Sequence, residues 1–153
     1  MQDEYRNIYK TARRAAGLTQ EAAAEKLGIS VESVRAYETD LRVPPNDVVQ
    51  LMCICYNAQH LAYQHLDETN VLMSRVVPQL EQRSVLEVAV RIYNRLNRFA
   101  QQHKLDQLME IAEDGQIDAE ERKLFDEIVG DLREIVKSGL ELEVYCSDAE
   151  RGD

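Results

Sequence analysis

The sequence lacks several things that would each have placed it in a familiar class. It has 153 residues and no tryptophan, and no apolar run approaches the roughly 20 residues that a membrane-spanning helix needs. Its opening stretch, MQDEYRNIYK, contains no apolar leader, which points to a cytoplasmic protein. Cysteine is scarce and odd in number, three residues with two of them in Cys53-Ile54-Cys55, a poor disulfide framework that fits a reducing compartment. No segment alternates convincingly as a strand. Carboxylates are abundant but fall on solvated faces, and no nucleophile–base–orienter set emerges, so no enzymatic activity is expected. Positive charge is also short. The 18 Lys and Arg against 28 Asp and Glu leave a net charge of −10, which at first argues against nucleic acid as a partner.

What is present softens that objection. Hydrophobic content of 44% is enough for a core, and the length suits one ordinary domain or two small ones. The acid is unevenly spread: residues 1–70 sum to −3, residues 71–104 to +4 and residues 105–153 to −11. The first half can therefore meet DNA with a locally near-neutral face, with modest non-specific affinity.

Apolar spacing is helical nearly throughout, so the expected fold class is all-α. A first helix is expected over 3–16 with Ile8, Ala12 and Ala15 inward, ended by Gly17. Thr19 caps a second over 20–27, Gly28 ends it, and Ser30 caps a third over 31–39. Pro44-Pro45 stops the chain and favours a restart. A fourth helix follows over 46–56, with Val49, Met52, Cys53 and Tyr56 inward, and a short fifth over 59–66. Residues 69–83, broken at Pro78, serve as a connector between a domain at 1–68 and a region at 84–153. There, Ser84 and Glu87 form a capping box for a helix to about 102, with Val85, Ala89, Ile92, Leu96 and Phe99 as its seam. A short helix over 106–112 and a longer one over 118–137 follow, the latter facing inward through Leu124, Ile128, Leu132 and Ile135. The tail 140–146 reads as either strand or helix, and helix is favoured because Leu132, Val136, Leu140 and Val144 continue a stripe.

The second and third helices, joined through Gly28, satisfy the physics of a helix-turn-helix. Gly28 supplies the positive φ of a tight turn, Ala24 allows close crossing, and Val34 and Tyr37 hold the third helix down. Val31, Glu32, Ser33, Arg35 and Ala36 are then free on its other face, a mixture suited to base edges in a major groove.

Residues 13–58 resemble the Cro/cI-type (XRE) family of helix-turn-helix DNA-binding domains. The resemblance is carried by Arg13-Arg-Ala-Ala-Gly-Leu-Thr-Gln20, Ala24-Glu-Lys-Leu-Gly28, Ser30, Val34, Tyr37-Glu38, Arg42 and Pro44. It implies a five-helix, lambda-repressor-like domain, with double-stranded DNA as partner. It also implies DNA contacts from Thr19, Gln20, Ser30, Val31, Glu32, Ser33, Arg35, Ala36, Arg42 and Asn46, and a structural ion pair between Arg13 and Glu38. Val31 is expected against a thymine methyl and Glu32 against cytosine N4. Two positions depart from the family pattern. Ala23 stands where leucine is usual, and Asp40 where glycine usually ends the third helix. Glu32 is unusual on a DNA face, since it repels phosphate.

The second half resembles, more loosely, the helical extension of prophage-type regulators, through Leu96, Leu108-Met-Glu-Ile-Ala112, Asp114-Gly-Gln-Ile-Asp118, Phe125, Ile128 and Leu132. Its paired amphipathic helices form a hairpin or bundle of about 70 residues, a marginal core alone. A homodimer through these helices is expected, because one short reading helix covers too few base pairs. Residues 110–121 suggest a calcium loop, but Ala112 stands where an oxygen ligand is required, so a helical corner is the better account. Cys53, Cys55, His60 and His65 lie on successive helices and would not converge on zinc. No metal or cofactor is expected. Arg91, Arg95 and Arg98 are expected to pair with the acidic last third, and the terminal Arg151-Gly-Asp153 is read as a chance tripeptide.

The sequence thus points to a sequence-specific DNA-binding transcriptional regulator, with repression by promoter occlusion as the expected mode. The alternative is a protein-interaction module, antitoxin-like or adaptor, whose C-terminal helices bind a partner.

Overall fold

In a computed structural model, residues 6–146 can be described. Every regular element among them is helical: α1 Ile8–Ala15, α2 Gln20–Leu27, α3 Val31–Glu38, α4 Asn46–Cys55, α5 His60–Thr69, α6 Met73–Val76, α7 Val85–Gln101, α8 Lys104–Ile111 and α9 Arg122–Glu141, with a π-helical turn Leu142–Cys146. The chain divides into two compact units at Arg75/Val76.

Local chemistry sets the ends of the first elements. The Thr19 hydroxyl accepts from Ala22 N (3.1 Å) and that of Ser30 from Ser33 N (3.1 Å), each satisfying an orphan amide of the helix it starts. Gly28 ends α2 at φ 67°, and an added Cβ would meet nothing within 4 Å, so the requirement there is conformational rather than steric. Asp40 adopts φ 59°, the left-handed geometry that a short polar side chain tolerates, and its Oδ1 accepts from Asn7 Nδ2 (2.9 Å).

The first unit closes around Tyr9, Ala12, Ala23, Leu27, Tyr37, Val49, Met52, Cys53, Tyr56, Ala58 and Leu61. Ala23 is completely buried, so the small side chain at that position is accommodated by close approach of its neighbours. Cys53 lies in this apolar cluster, as its place on the α4 stripe implied.

In the second unit α7 and α9 run antiparallel. Arg95 on α7 donates to the Glu134 carbonyl (2.7 Å), the Glu134 carboxylate (2.6 Å) and Ser138 Oγ, while Phe99 packs with Ile128. Ile111 of α8 completes the core, and Leu108, Ile117, Leu124, Phe125, Leu132 and Ile135 pack around it. Lys104 is buried and pairs with Glu127 and, at 3.9 Å, with Asp131. Arg95 and Lys104 are thus bound by the acidic last third. The Ser84–Glu87 capping box forms in both directions.

Several expectations need correction. α1 starts at Ile8, because Asn7 Oδ1 caps Lys10 N (2.9 Å); its inward residues are Tyr9, Ala12 and Arg13, while Ala15 is exposed. The remainder of the expected first turn, residues 3–5, lies outside the described residues. α5 continues to Thr69, since nothing in Leu66-Asp67-Glu68 breaks it. α9 overruns Lys137 for the same reason, and the tail to Cys146 is helical but widened to a π turn. Asp118 and Glu121 make their reciprocal cap bonds (2.9 and 3.2 Å), yet regular helix begins only at Arg122. The largest correction concerns α7. Its inward line is Val88 and Phe99, both buried, with Ile92 and Arg95 half-buried between them, whereas Val85, Ala89 and Leu96 of the expected seam are exposed. A sequence window cannot anticipate that Arg95 points inward, because its partners lie about forty residues away.

Candidate nucleic-acid interface

The candidate surface is the outward edge of α3 together with the start of α2 and the loop 39–45. α3 is held from beneath by Val34 and Tyr37, which are 1% and 5% exposed. Its last residue, Glu38, is buried as well, and Arg13 of α1 meets it in a two-point contact: Nε to Oε1 at 2.5 Å and Nη2 to Oε2 at 2.9 Å. The third Arg13 arm donates to the Leu18 carbonyl (2.6 Å), which ties the turn before α2 into the same group. Burial alone would push the Glu38 carboxyl up. Hydrogen bonds from Arg13 and Gln20, with the Arg13 charge, outweigh that and hold it below the usual carboxylate range. Arg13 is correspondingly held more firmly protonated, chiefly by its hydrogen bonds to Glu38.

From this buried pair a polar chain leads outward. Gln20 Nε2 donates to Glu38 Oε2 (2.8 Å), and Gln20 Oε1 accepts from Arg35 Nε (3.2 Å). Each half of the amide thus has a partner of the right sense, which fixes its orientation. Arg35 also lies 3.7 Å from Glu21, an exposed pair that holds it loosely. A second group sits at the start of α3. Ser30 Oγ donates to Ser33 Oγ (3.0 Å), which accepts from Arg42 Nη2 (2.7 Å), and the Arg42 guanidinium carbon stands 4.9 Å from the Tyr37 ring centroid. Stacking on Tyr37 orders Arg42 beside α3.

The ten residues expected at the interface are therefore placed as follows. Thr19 is exposed at the α2 cap, with Gln20 half-buried next to it. Ser30, Glu32 and Arg35 are exposed on α3 and its cap, and Val31, Ser33 and Ala36 are half-buried on the same edge. Arg42 is joined to that edge through Ser33. Asn46, at the first turn of α4, is directed differently: its Oδ1 is 3.0 Å from His65 Nε2, while His65 Nδ1 is 2.7 Å from Tyr9 Oη. One neutral tautomer fits both contacts, with Nε2–H donating to Asn46 and Nδ1 accepting from Tyr9. Burial holds the His65 pKa below its ordinary value, which favours this neutral form.

Two supporting residues were missed in the sequence. Asn7 Nδ2 donates to the Tyr37 carbonyl (2.8 Å) as well as to Asp40, and so fastens the C-terminal end of α3. His65 buttresses α4. The cap signature of Asn7 ahead of Ile8 was readable, but its long-range bonds were not. Among the described residues no group of three or more His, Cys, Asp or Glu could hold a metal ion. In the 110–121 corner, Asp114 and Asp118 instead accept from the backbone amides of Gln116 and Glu120 (2.9 and 2.8 Å). No helix among the described residues is long and apolar enough to cross a membrane.

Residues 10–62 match the family model described as Helix-turn-helix, a span that runs from within α1 through α4 to the start of α5. No curated protein and no solved structure gives a significant match. Over about a third of the chain, this segment is thus a helix-turn-helix domain similar to those of XRE-type DNA-binding regulators.

Proposed function

We propose that this helix-turn-helix chain is a sequence-specific transcriptional regulator that acts as a homodimer, with α3 lying in the major groove of double-stranded DNA. The observation that carries this reading is the outward edge of α3, open to solvent while its inner face is fixed by Val34, Tyr37 and the buried Arg13–Glu38 pair. A rigid element with a free polar edge is what direct readout needs. Val31 and Ala36 offer apolar contacts to thymine methyls, and Glu32 accepts from cytosine N4. Ser30, Ser33, Arg35 and Arg42 supply donors to base edges and phosphates. Thr19 and Gln20 place the start of α2 against a phosphate, where helix amides favour an anion. Asn46, its carbonyl oxygen engaged by His65, keeps its amide donors for the backbone. The protein works without cofactor or catalysis, in the cytoplasm, and represses by occluding a promoter.

Dimerisation follows from the size of the reader. An eight-residue α3 spans too few base pairs for specificity, and paired half-sites about 34 Å apart remedy this. The test is a gel shift against a genomic fragment library at low salt, with wild type and Arg35→Ala. A discrete shifted set that is lost in the variant supports the reading. No shifted fragment at low salt, with a protein partner recovered instead, supports the interaction-module reading.

A further inference from the structure

α7 carries two apolar faces, and the fold uses only one. The inward line Val88, Ile92, Arg95, Phe99 meets α9 through Arg95 and packs Phe99 with Ile128 and Ile111. One residue further along at each step runs a second line, Ala89, Tyr93, Leu96 and Ala100, widened by Val85, Leu86 and Val90. At 100° per residue this second face fills an arc of about 140° and contains no charge, with Asn97 as its one polar side chain. It is open to solvent: Leu86 is 74% exposed, Tyr93 69%, and Val85, Val90 and Leu96 about half. On α9, Val129 and Val136 likewise follow Ile128 and Ile135 by one residue and are exposed. Because α7 and α9 run antiparallel, their right-handed turns have opposite senses when viewed from one end. The two following arcs therefore lie on the same side of the hairpin and make one open surface, apolar along α7 and at Val129 and Val136 of α9.

We infer that this surface, centred on Tyr93, is the face through which two copies of the chain pair, with α7 packed antiparallel on α7 of its partner about a two-fold axis at Tyr93. The inference rests on the homodimeric regulator reading for its purpose but on the geometry of the second unit alone for its place. Two observations commit the face to a second copy. Seven large apolar side chains, five on α7 and two on α9, stand 42–74% exposed there, a patch on the order of the ~800 Å² per partner of a standard-size specific interface. The pattern is also complementary to itself. Tyr93 is the middle residue of α7, so a two-fold pairing there sets Leu86 beside Ala100, Leu96 against Ala89, Val90 against Asn97 and Tyr93 against Tyr93. Large meets small at the ends, and two flat rings meet at the axis.

The test measures association of the full chain without DNA. Sedimentation equilibrium of wild type should give a dimer, and Val90→Asp and Tyr93→Asp should each weaken dimerisation by at least about 30-fold, as expected for a charge placed at an interface centre. Tyr93→Cys should form a disulfide-linked dimer under mild oxidation, above the wild-type background from its own cysteines, while Arg91→Cys on another face should not. This covalent readout holds even where the aspartate variants prove unstable. A wild-type monomer at about 100 μM, a dimer indifferent to both aspartate variants, or equal cross-linking at 91 and 93 overturns the inference. A monomer that still shifts DNA discards this face while leaving the regulator reading intact, and a dimer that shifts none does the reverse.

Discussion

The two units spend their apolar residues differently. The N-terminal unit closes eleven buried residues into one cluster and finishes it with a buried ion pair and a His–Tyr–Asn chain. The C-terminal unit gathers Phe99, Ile111 and Ile128 into its main cluster, buries Leu80, Val88 and Cys146 outside that cluster, and leaves the long side of α7 uncovered. The first has the character of a self-sufficient domain whose surface is free for polar work. The second keeps an apolar side open to solvent. The contrast explains how an acidic chain can still read DNA. Much of the negative charge lies in the last third of the sequence, in a different unit from α3, and part of it engages Arg95 and Lys104.

The contrast can be broken most strongly at Glu38. Replacing it with alanine leaves Arg13 buried without a counter-charge, a loss of about 3–5 kcal/mol. With no tryptophan to report, circular dichroism in urea is the measurement. The expected result is an earlier transition for the first unit with the second unchanged, and a single concerted shift of both would contradict the independence of the units. Next in size is Gly28→Ala, which forces an L-residue to φ 67° at a cost of about 1–2 kcal/mol without any clash, again confined to the first unit. Ser84→Ala is its counterpart in the second unit, where loss of the capping box should cost about 1 kcal/mol.

Acid should separate the units as well. His65 has a depressed pKa in the folded chain, so its contribution is present above its ordinary value of about 6.5 and is lost as pH falls through the folded value. The carboxylates depressed in the second unit, Glu81, Glu87 and Glu127, contribute fully above the ordinary carboxylate range and lose that contribution only as pH falls from there through their folded values. Melting followed from pH 7 to 5 should therefore show the first unit weakening while the second holds, and His65→Gln should flatten that slope. The smallest effect concerns binding. Glu32→Gln removes a charge that repels phosphate and should strengthen non-specific DNA binding by up to about tenfold at low salt, with folding unchanged. Equal affinity for both proteins would place Glu32 away from the DNA.

The same contrast governs what could be read in advance. α2, its cap at Thr19, the turn at Gly28 and the cap at Ser30 were legible because each is set by residues within four positions. The Arg13–Glu38 pair was legible only through the family resemblance, since 25 residues separate the partners. The face of α7 was misjudged for a physical reason. A helix that is apolar over two adjacent arcs has no single periodic answer, and the choice between them is made by Glu134 and Ser138, which draw Arg95 inward. In the candidate site, the outward residues of α3 could be assigned from periodicity, whereas the Gln20 link from Glu38 to Arg35 depends on three separate segments meeting.

Enrichment of bound fragments from a random double-stranded DNA pool, with wild type and Arg35→Ala in parallel, tests the central claim most directly. The account predicts that wild type recovers one inverted-repeat sequence, its half-sites about one helical turn apart, and that the variant recovers it only weakly or not at all. Recovery of no sequence by wild type at low salt, or of the same sequence equally well by Arg35→Ala, would contradict a reader built on the outer edge of α3.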